Sequence, residues 1–340
     1  MPVKGLLATL LALGSFFATH VLLGRTLETR PDLRLLADSV EAQKFAQFRA
    51  HRDEYDLVYV GTSRVYRGFD PATFDQTLAE LGHPLRSYNF GLVGMGYLEQ
   101  RFIVDWILAL RPARLRWLLI EPCERSAPWI ARPIVLGRAS TLTLRDVAWH
   151  TPAVAALSLR AAWRSDRSLA AKLRYVRVHL LHAAHRLCNV GVGAGLLTRL
   201  FAPLPPTTLL PAGFEGRLEA PAPGEANEVR VAAPAPESEP IETSDLPWRT
   251  QTAVAERARA AGVVTRFVIP PTSKPLLVFK QARDSGALPN LRVYPLATFP
   301  EILASQRTYF YDPDHMNTRG AALFTRRLAT DLAADLASER

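Results

Sequence analysis

Apolar positions recur along this chain in three rhythms. The first is a continuous run, Gly5 to Gly24 (GLLATLLALGSFFATHVLLG), which holds no formal charge and a single histidine, His20. A helix of that length extends about 30 Å, the thickness of a bilayer's hydrocarbon core. A cleaved leader would have a shorter apolar segment and a small-x-small exit. Here the run ends in His20-Val21-Leu22-Leu23-Gly24-Arg25. Residues 5–24 therefore read as an uncleaved anchor whose partner is the bilayer. The positively charged flanks are nearly balanced, with Lys4 and the amino terminus on one side and Arg25 and Arg30 on the other.

The second rhythm alternates short apolar runs with amphipathic stretches. Asp56–Val60, Arg86–Phe90 and Trp117–Ile120 are rich in aromatic and branched residues and end at glycine or proline, as buried strands do. Asp70-Pro71 opens a helix with Phe74, Leu78 and Leu81 on one face, and Leu98–Leu110 forms another, stopped by Arg111-Pro112. The pattern resumes with a helix over Trp248–Ala261, a strand over Val263–Ile269, a short strand at Leu291–Tyr294 and a closing helix over Arg319–Leu336. Strand–helix alternation predicts an α/β domain with a parallel sheet and helices on both faces.

Between these halves the third rhythm is helical, then irregular. Residues 126–200 carry long helical patterns. Asp166–Leu187 is arginine-rich and spaces His179, His182 and His185 three apart. Such spacing suits either a metal site or a basic helix face with titratable histidines, and the latter is adopted. A basic helix of this kind also suits an anionic lipid surface. Phe201–Trp248 holds ten prolines and reads as a weakly ordered loop. The predicted organisation is thus an anchor at 1–25, a stalk at 26–52, the domain's first part at 53–125, a helical insertion at 126–200, a Pro-rich loop at 201–247 and the second part at 248–340.

Composition adds little to this picture. Of 340 residues nearly half are apolar, enough for a sizeable core. The net charge is +9 and arginine supplies almost all of the positive side. Base composition of the coding DNA explains this, as does attraction to an anionic surface. No basic repeat or zinc-finger spacing points to nucleic acid. The two cysteines, Cys123 and Cys188, form no Cys-x-x-Cys pair and read as separate thiols, although an oxidising compartment would permit pairing. No cofactor or metal is expected.

The candidate chemistry lies in two short stretches. Ser63 follows the first strand and Gly61, at the edge of an open sheet where ligands bind. Tyr311-Asp312-Pro313-Asp314-His315 lies before the closing helix, so one turn can present Asp312 and His315 together. A serine hydroxyl needs an adjacent base, and a carboxylate fixes that base's tautomer. Alone, a serine in Gly-Thr-Ser serves equally as a helix cap.

Together the stretches resemble the SGNH (GDSL-type) hydrolase superfamily. Gly61-Thr62-Ser63-Arg64 is similar to its first block, Asn89-x-Gly91-x-x-Gly94 to its second, and Asp312-x-x-His315, continued by Asn317-x-x-Gly320, to its last. The resemblance covers about half the chain. It implies a flavodoxin-like sheet, a Ser63–His315–Asp312 triad, and an oxyanion held by the backbone N–H groups of Ser63 and Gly94. The family's third block, Gly-x-Asn-Asp, supplies a further donor from its asparagine. Here the third strand runs into Ile120-Glu121-Pro122-Cys123 instead. Arg64 and Arg67, which flank the nucleophile, are candidate substitutes and, with Asn89, candidate substrate contacts. Glu121 is expected to line the pocket or to cap the strand.

Membrane-anchored branches of that superfamily resemble proteins that move acyl groups onto extracellular polysaccharides and teichoic acids, often beside a membrane-bound O-acyltransferase. The resemblance therefore implies a single-pass protein of the bacterial inner membrane, N-terminus inside, with an extracytoplasmic esterase or O-acyltransferase domain acting on a glycan or acyl ester. A non-catalytic glycan-binding or assembly partner, and a lipid or thioester hydrolase, are the alternatives.

Overall fold

The computed structural model describes residues 3–28, 30–34, 39–123, 163, 168–173, 176–177, 180, 211–216, 246–272 and 276–338. The histidines at 179, 182 and 185, Cys188 and most of the expected helical insertion lie outside the described residues. The chain divides into two compact units, one of residues 1–46 and 127–207, the other of 47–126 and 208–340.

In the first unit, helix α1 (Val3–Glu28) contains a 21-residue stretch, Val3–Leu23, of mean hydropathy 2.0, long and apolar enough to cross a membrane. Large apolar side chains on it are exposed, among them Leu6, Leu11, Phe16 and Leu22. A short helix, α2 (Pro31–Arg34), follows, with Arg30 making a two-pronged contact to Asp32 at 3.2 and 3.0 Å.

The second unit is built on five parallel strands: β1 (Leu57–Gly61), β2 (Ser87–Gly91), β3 (Trp117–Ile120), β4 (Val264–Ile269) and β5 (Leu291–Val293). Their order is β2-β1-β3-β4-β5. The chain thus starts inside the sheet, steps outward to β2, then returns past β1 to build β3, β4 and β5. The order of strand addition reverses between β1 and β3, and it is outside the carboxyl ends at such a switch point that open α/β sheets bind ligands. Pairing brings Gly61 level with Gly91, and Val60 with Ile120.

Period-two alternation sorts the strand side chains onto two faces. Leu57, Tyr59, Trp117, Leu119 and Val268 join a core with Phe74 and Leu78 of α5 (Pro71–Glu80) and Phe324, Leu328 and Leu332 of the closing helix (Thr318–Ser338). The opposite positions, such as Val58, Val60, Leu118 and Ile120, are equally buried. Helices α6 (Tyr97–Ala109) and α7 (Leu246–Ala260) pack against each other, α6 against β1 and α7 against β4.

Three findings differ from the sequence expectation. The residues expected to form a stalk are helical where described, but the end of α3 (Val40–His51) belongs to the domain. Phe48 is fully buried and meets the rings of Tyr55, Tyr88, Phe90 and Trp106 at 5.1 to 5.9 Å. An aromatic side chain buries 150–250 Å² and so commits its segment to a core. The Pro-rich loop also contains a packed piece. Pro211–Gly213 forms a 3-10 turn against β2, and Phe214 is 4% exposed. Finally, Ser63 opens a helical turn, α4 (Ser63–Gly68), a stretch for which the residue pattern predicted no element.

Candidate active site

The position of Ser63 is set by close packing of α4 on the strand ends. A Cβ on Gly91 would overlap the backbone nitrogen of Tyr66, and one on Gly61 would overlap the side chain of Val65. Only glycine lets α4 approach both strands this closely. Thr62 caps α4, its hydroxyl accepting from the Arg64 N–H at 3.3 Å.

Asn89, the candidate substrate contact in β2, is used inside the fold. It is fully buried, and its side-chain amide donates to the carbonyls of Val65 and Phe69 at 2.9 and 2.6 Å. Its side-chain oxygen accepts from the Gly91 N–H at 2.9 Å. Asn89 therefore binds carbonyls where α4 ends, adding to the Phe69 N–H bond that the Val65 carbonyl already accepts, and is corrected from substrate contact to support of the helix that begins at Ser63.

Asp312 and His315 occupy a small closed loop. Phe310 and Met316 form an antiparallel bridge, and the Tyr311 N–H donates to the His315 carbonyl at 3.0 Å. Within the loop, Asp312 Oδ1 accepts from the N–H groups of Asp314 and His315 at 2.8 and 2.9 Å. Asn317 ties the loop to the closing helix, accepting from the N–H groups of Arg319 and Gly320 and donating to Thr308.

These segments meet at three atoms. His315 Nε2 lies 2.7 Å from Ser63 Oγ, and His315 Nδ1 lies 2.8 and 2.7 Å from the two oxygens of Asp312. An ionised carboxylate only accepts, so the neutral ring carries its proton on Nδ1 and presents a bare Nε2 to the serine hydroxyl. Burial works to raise the Asp312 carboxyl. The Asp314 N–H, the His315 ring and the His315 N–H outweigh it and hold the group below the usual carboxylate range. Ser63, Asp312 and His315 are all partly exposed, so the trio is open to a substrate.

Glu121, at the end of β3, has a larger part than its sequence position suggested. Its side chain is fully buried; one oxygen accepts from the Thr62 N–H at 2.6 Å and the other from Arg64 Nε at 2.5 Å. It thus fastens the residues on both sides of Ser63. The segment leaving β3 is fixed as well: Gln100 donates to the Glu121 carbonyl and Gln251 to the Cys123 carbonyl. Cys123 is buried, and its thiol donates to the Met95 carbonyl at 3.5 Å. A carboxylate ending an otherwise apolar strand was the one visible signal of this arrangement.

The two arginines part company. Arg67 turns to the 211–216 segment, meeting the Glu215 carbonyl at 3.2 Å and its carboxylate at 2.9 Å, and lies over the Tyr66 ring. Arg64 stays between β1 and β3. Burial opposes its charge, but the Glu121 carboxylate and, more weakly, Asp314 and Cys123 push its pKa above the usual guanidinium value. Gly94 lies in an exposed turn after β2 with a φ of 67°, a left-handed conformation that favours glycine. No group of metal-ligating side chains occurs among the described residues.

The site and fold together define an α/β protein with a Ser–His–Asp constellation at the switch point of its sheet. Comparison with models of known protein families finds no match, and comparison with curated proteins finds none either.

Proposed function

We propose that this chain is a serine-dependent esterase or O-acyltransferase of the SGNH type, acting on acyl groups of a cell-envelope glycan. The observation that carries this reading is the contact of Ser63 Oγ with His315 Nε2, with Nδ1 held by Asp312. In the first half-reaction His315 takes the Ser63 proton as Oγ bonds to the acyl carbon. The carbonyl electron pair moves onto oxygen. Collapse of this tetrahedral species breaks the bond to the leaving oxygen, which receives the proton from His315. In the second half-reaction a sugar hydroxyl or water gives its proton to His315 as its oxygen bonds to the acyl carbon, and collapse breaks the bond to Ser63 Oγ, which takes that proton back from His315. The backbone N–H groups of Ser63 and Gly94 are the proposed first oxyanion donors.

The apolar α1 supports anchorage in the cytoplasmic membrane, with the domain extracytoplasmic. There a membrane-bound O-acyltransferase would be the partner that delivers acyl groups. The test uses the full chain in detergent micelles and an aryl acetate substrate. Turnover that disappears in Ser63→Ala and His315→Ala supports the reading, and turnover unchanged in both refutes it. Replacement of the third block by Ile120-Glu121-Pro122-Cys123 favours a second reading, a non-catalytic glycan-binding partner. That reading requires a Ser63 inert to fluorophosphonate, together with binding to an acidic polysaccharide.

A further inference from the structure

We propose that Arg64 supplies an oxyanion donor to this site through its terminal guanidinium nitrogens, and that Glu121 is the residue that positions it. The inference rests on the acyl-transfer reading above. Attack by Ser63 places negative charge on the former carbonyl oxygen, and preorganised donors at that point are the largest single contribution in many such sites. Beside Ser63, two backbone donors are already committed: the Thr62 N–H to Glu121 and the Arg64 N–H to the Thr62 hydroxyl. The residue that follows β3 at the switch point is Glu121, and an ionised carboxylate donates nothing.

What Glu121 does instead is hold a donor. It takes only the Nε–H of Arg64. The guanidinium is a rigid fork with five N–H groups, so fixing one edge aims the other. Among the described residues, no hydrogen bond engages the terminal nitrogens of Arg64. Its side chain keeps 13% exposure while that of Glu121 has none. Glu121 also holds the Thr62 N–H, so the guanidinium is fixed at the end of β3, against the carboxylate that binds the residues on both sides of Ser63. Arg67 is ruled out for this part because Glu215 and Tyr66 engage it.

A buried ion pair is weak evidence for stability, since desolvating two charges offsets much of their attraction. That leaves room for a pair retained to orient a donor, and kinetics separates the alternatives. The full chain is purified in micelles, and kcat and KM are measured on an aryl acetate together with the melting temperature. Arg64→Gln is expected to lower kcat by about 10²–10³, with KM within about twofold. Added guanidinium ion should restore part of the activity of Arg64→Ala. Glu121→Gln should lower kcat by about ten- to a hundredfold alone, and by far less in the Arg64→Gln background.

Should Arg64→Gln fail to fold, the double variant Arg64→Met, Glu121→Gln removes both charges and keeps an acceptor for the Thr62 N–H. A folded, slow double variant supports the proposal and a fully active one overturns it. The proposal is also overturned if folded Arg64→Gln keeps its kcat, whether or not KM rises. A wild-type chain that neither turns over the ester nor labels with fluorophosphonate removes the acyl-transfer reading and this proposal with it. Loss confined to the Arg64 variants' KM removes the proposal alone.

Discussion

Asn89 and Phe69 are joined by a 2.6 Å hydrogen bond from the side-chain amide to the backbone carbonyl, so β2 holds the far end of the helix that begins at Ser63. Replacing Asn89 by Ala leaves several buried polar groups unpaired. The expected loss of stability is about 1–3 kcal/mol, read from denaturant midpoints. Ester turnover should fall as well, because the end of α4 is released while Ser63 and His315 keep their side chains.

Gly91 makes a steric prediction at the same contact. Gly91→Ala drives a methyl group into the backbone of Tyr66 and Val65 rather than into a movable side chain. Overpacking of this kind costs about 1–3 kcal/mol, so thermal unfolding should shift downward. Wild-type stability in Gly91→Ala would mean that α4 does not approach β2 as described.

Asp312→Asn tests the relay. Asparagine can still accept from the Asp314 and His315 N–H groups, but it no longer provides a charge for an imidazolium and permits the wrong ring tautomer. A comparable substitution in a serine protease triad costs on the order of 10⁴ in kcat. A fall of that order is expected here in steady-state ester hydrolysis, with the melting temperature little changed.

Asp75 predicts a pH dependence of stability away from the site. Burial pushes its carboxyl up to about 7, against the lowering effect of the Ser87 hydroxyl and N–H that bond to it. The unfolded chain titrates near 4. Between those values the folded state binds more protons, so stability falls as pH rises through about 4 to 7 and levels off above that. Asp75→Asn keeps acceptance from Ser87 and should flatten this slope, as measured by denaturation at about pH 5 and about pH 8.

Much of the fold could be read from residue pattern, because buried parallel strands leave short runs of branched and aromatic residues. The run Trp117–Ile120 matches β3 at both ends, and the other strands match within one residue. Helix α4 was hidden because six residues are too few to show a period. Phe214 was hidden because its neighbours are prolines and glycines, whose composition outweighs one aromatic residue. Phe48, with Phe45 one turn before it, lay in a helix whose many polar residues masked so narrow an apolar stripe. Ser63, Asp312 and His315 could be named because their chemistry constrains residue type. The tasks of Asn89 and Glu121 are packing relationships between segments far apart in sequence, and a one-dimensional pattern does not carry them.

The bridge from Phe310 to Met316 closes around Asp312 and His315, so acid and base travel together on one short loop. Their mutual distance is inherited from local chain geometry. The separation between His315 and Ser63, by contrast, depends on how the last helix seats on the sheet. Any substitution or ligand that shifts this seating therefore acts on a single coordinate. Such a change alters the contact between His315 and Ser63 while leaving the histidine's own alignment intact.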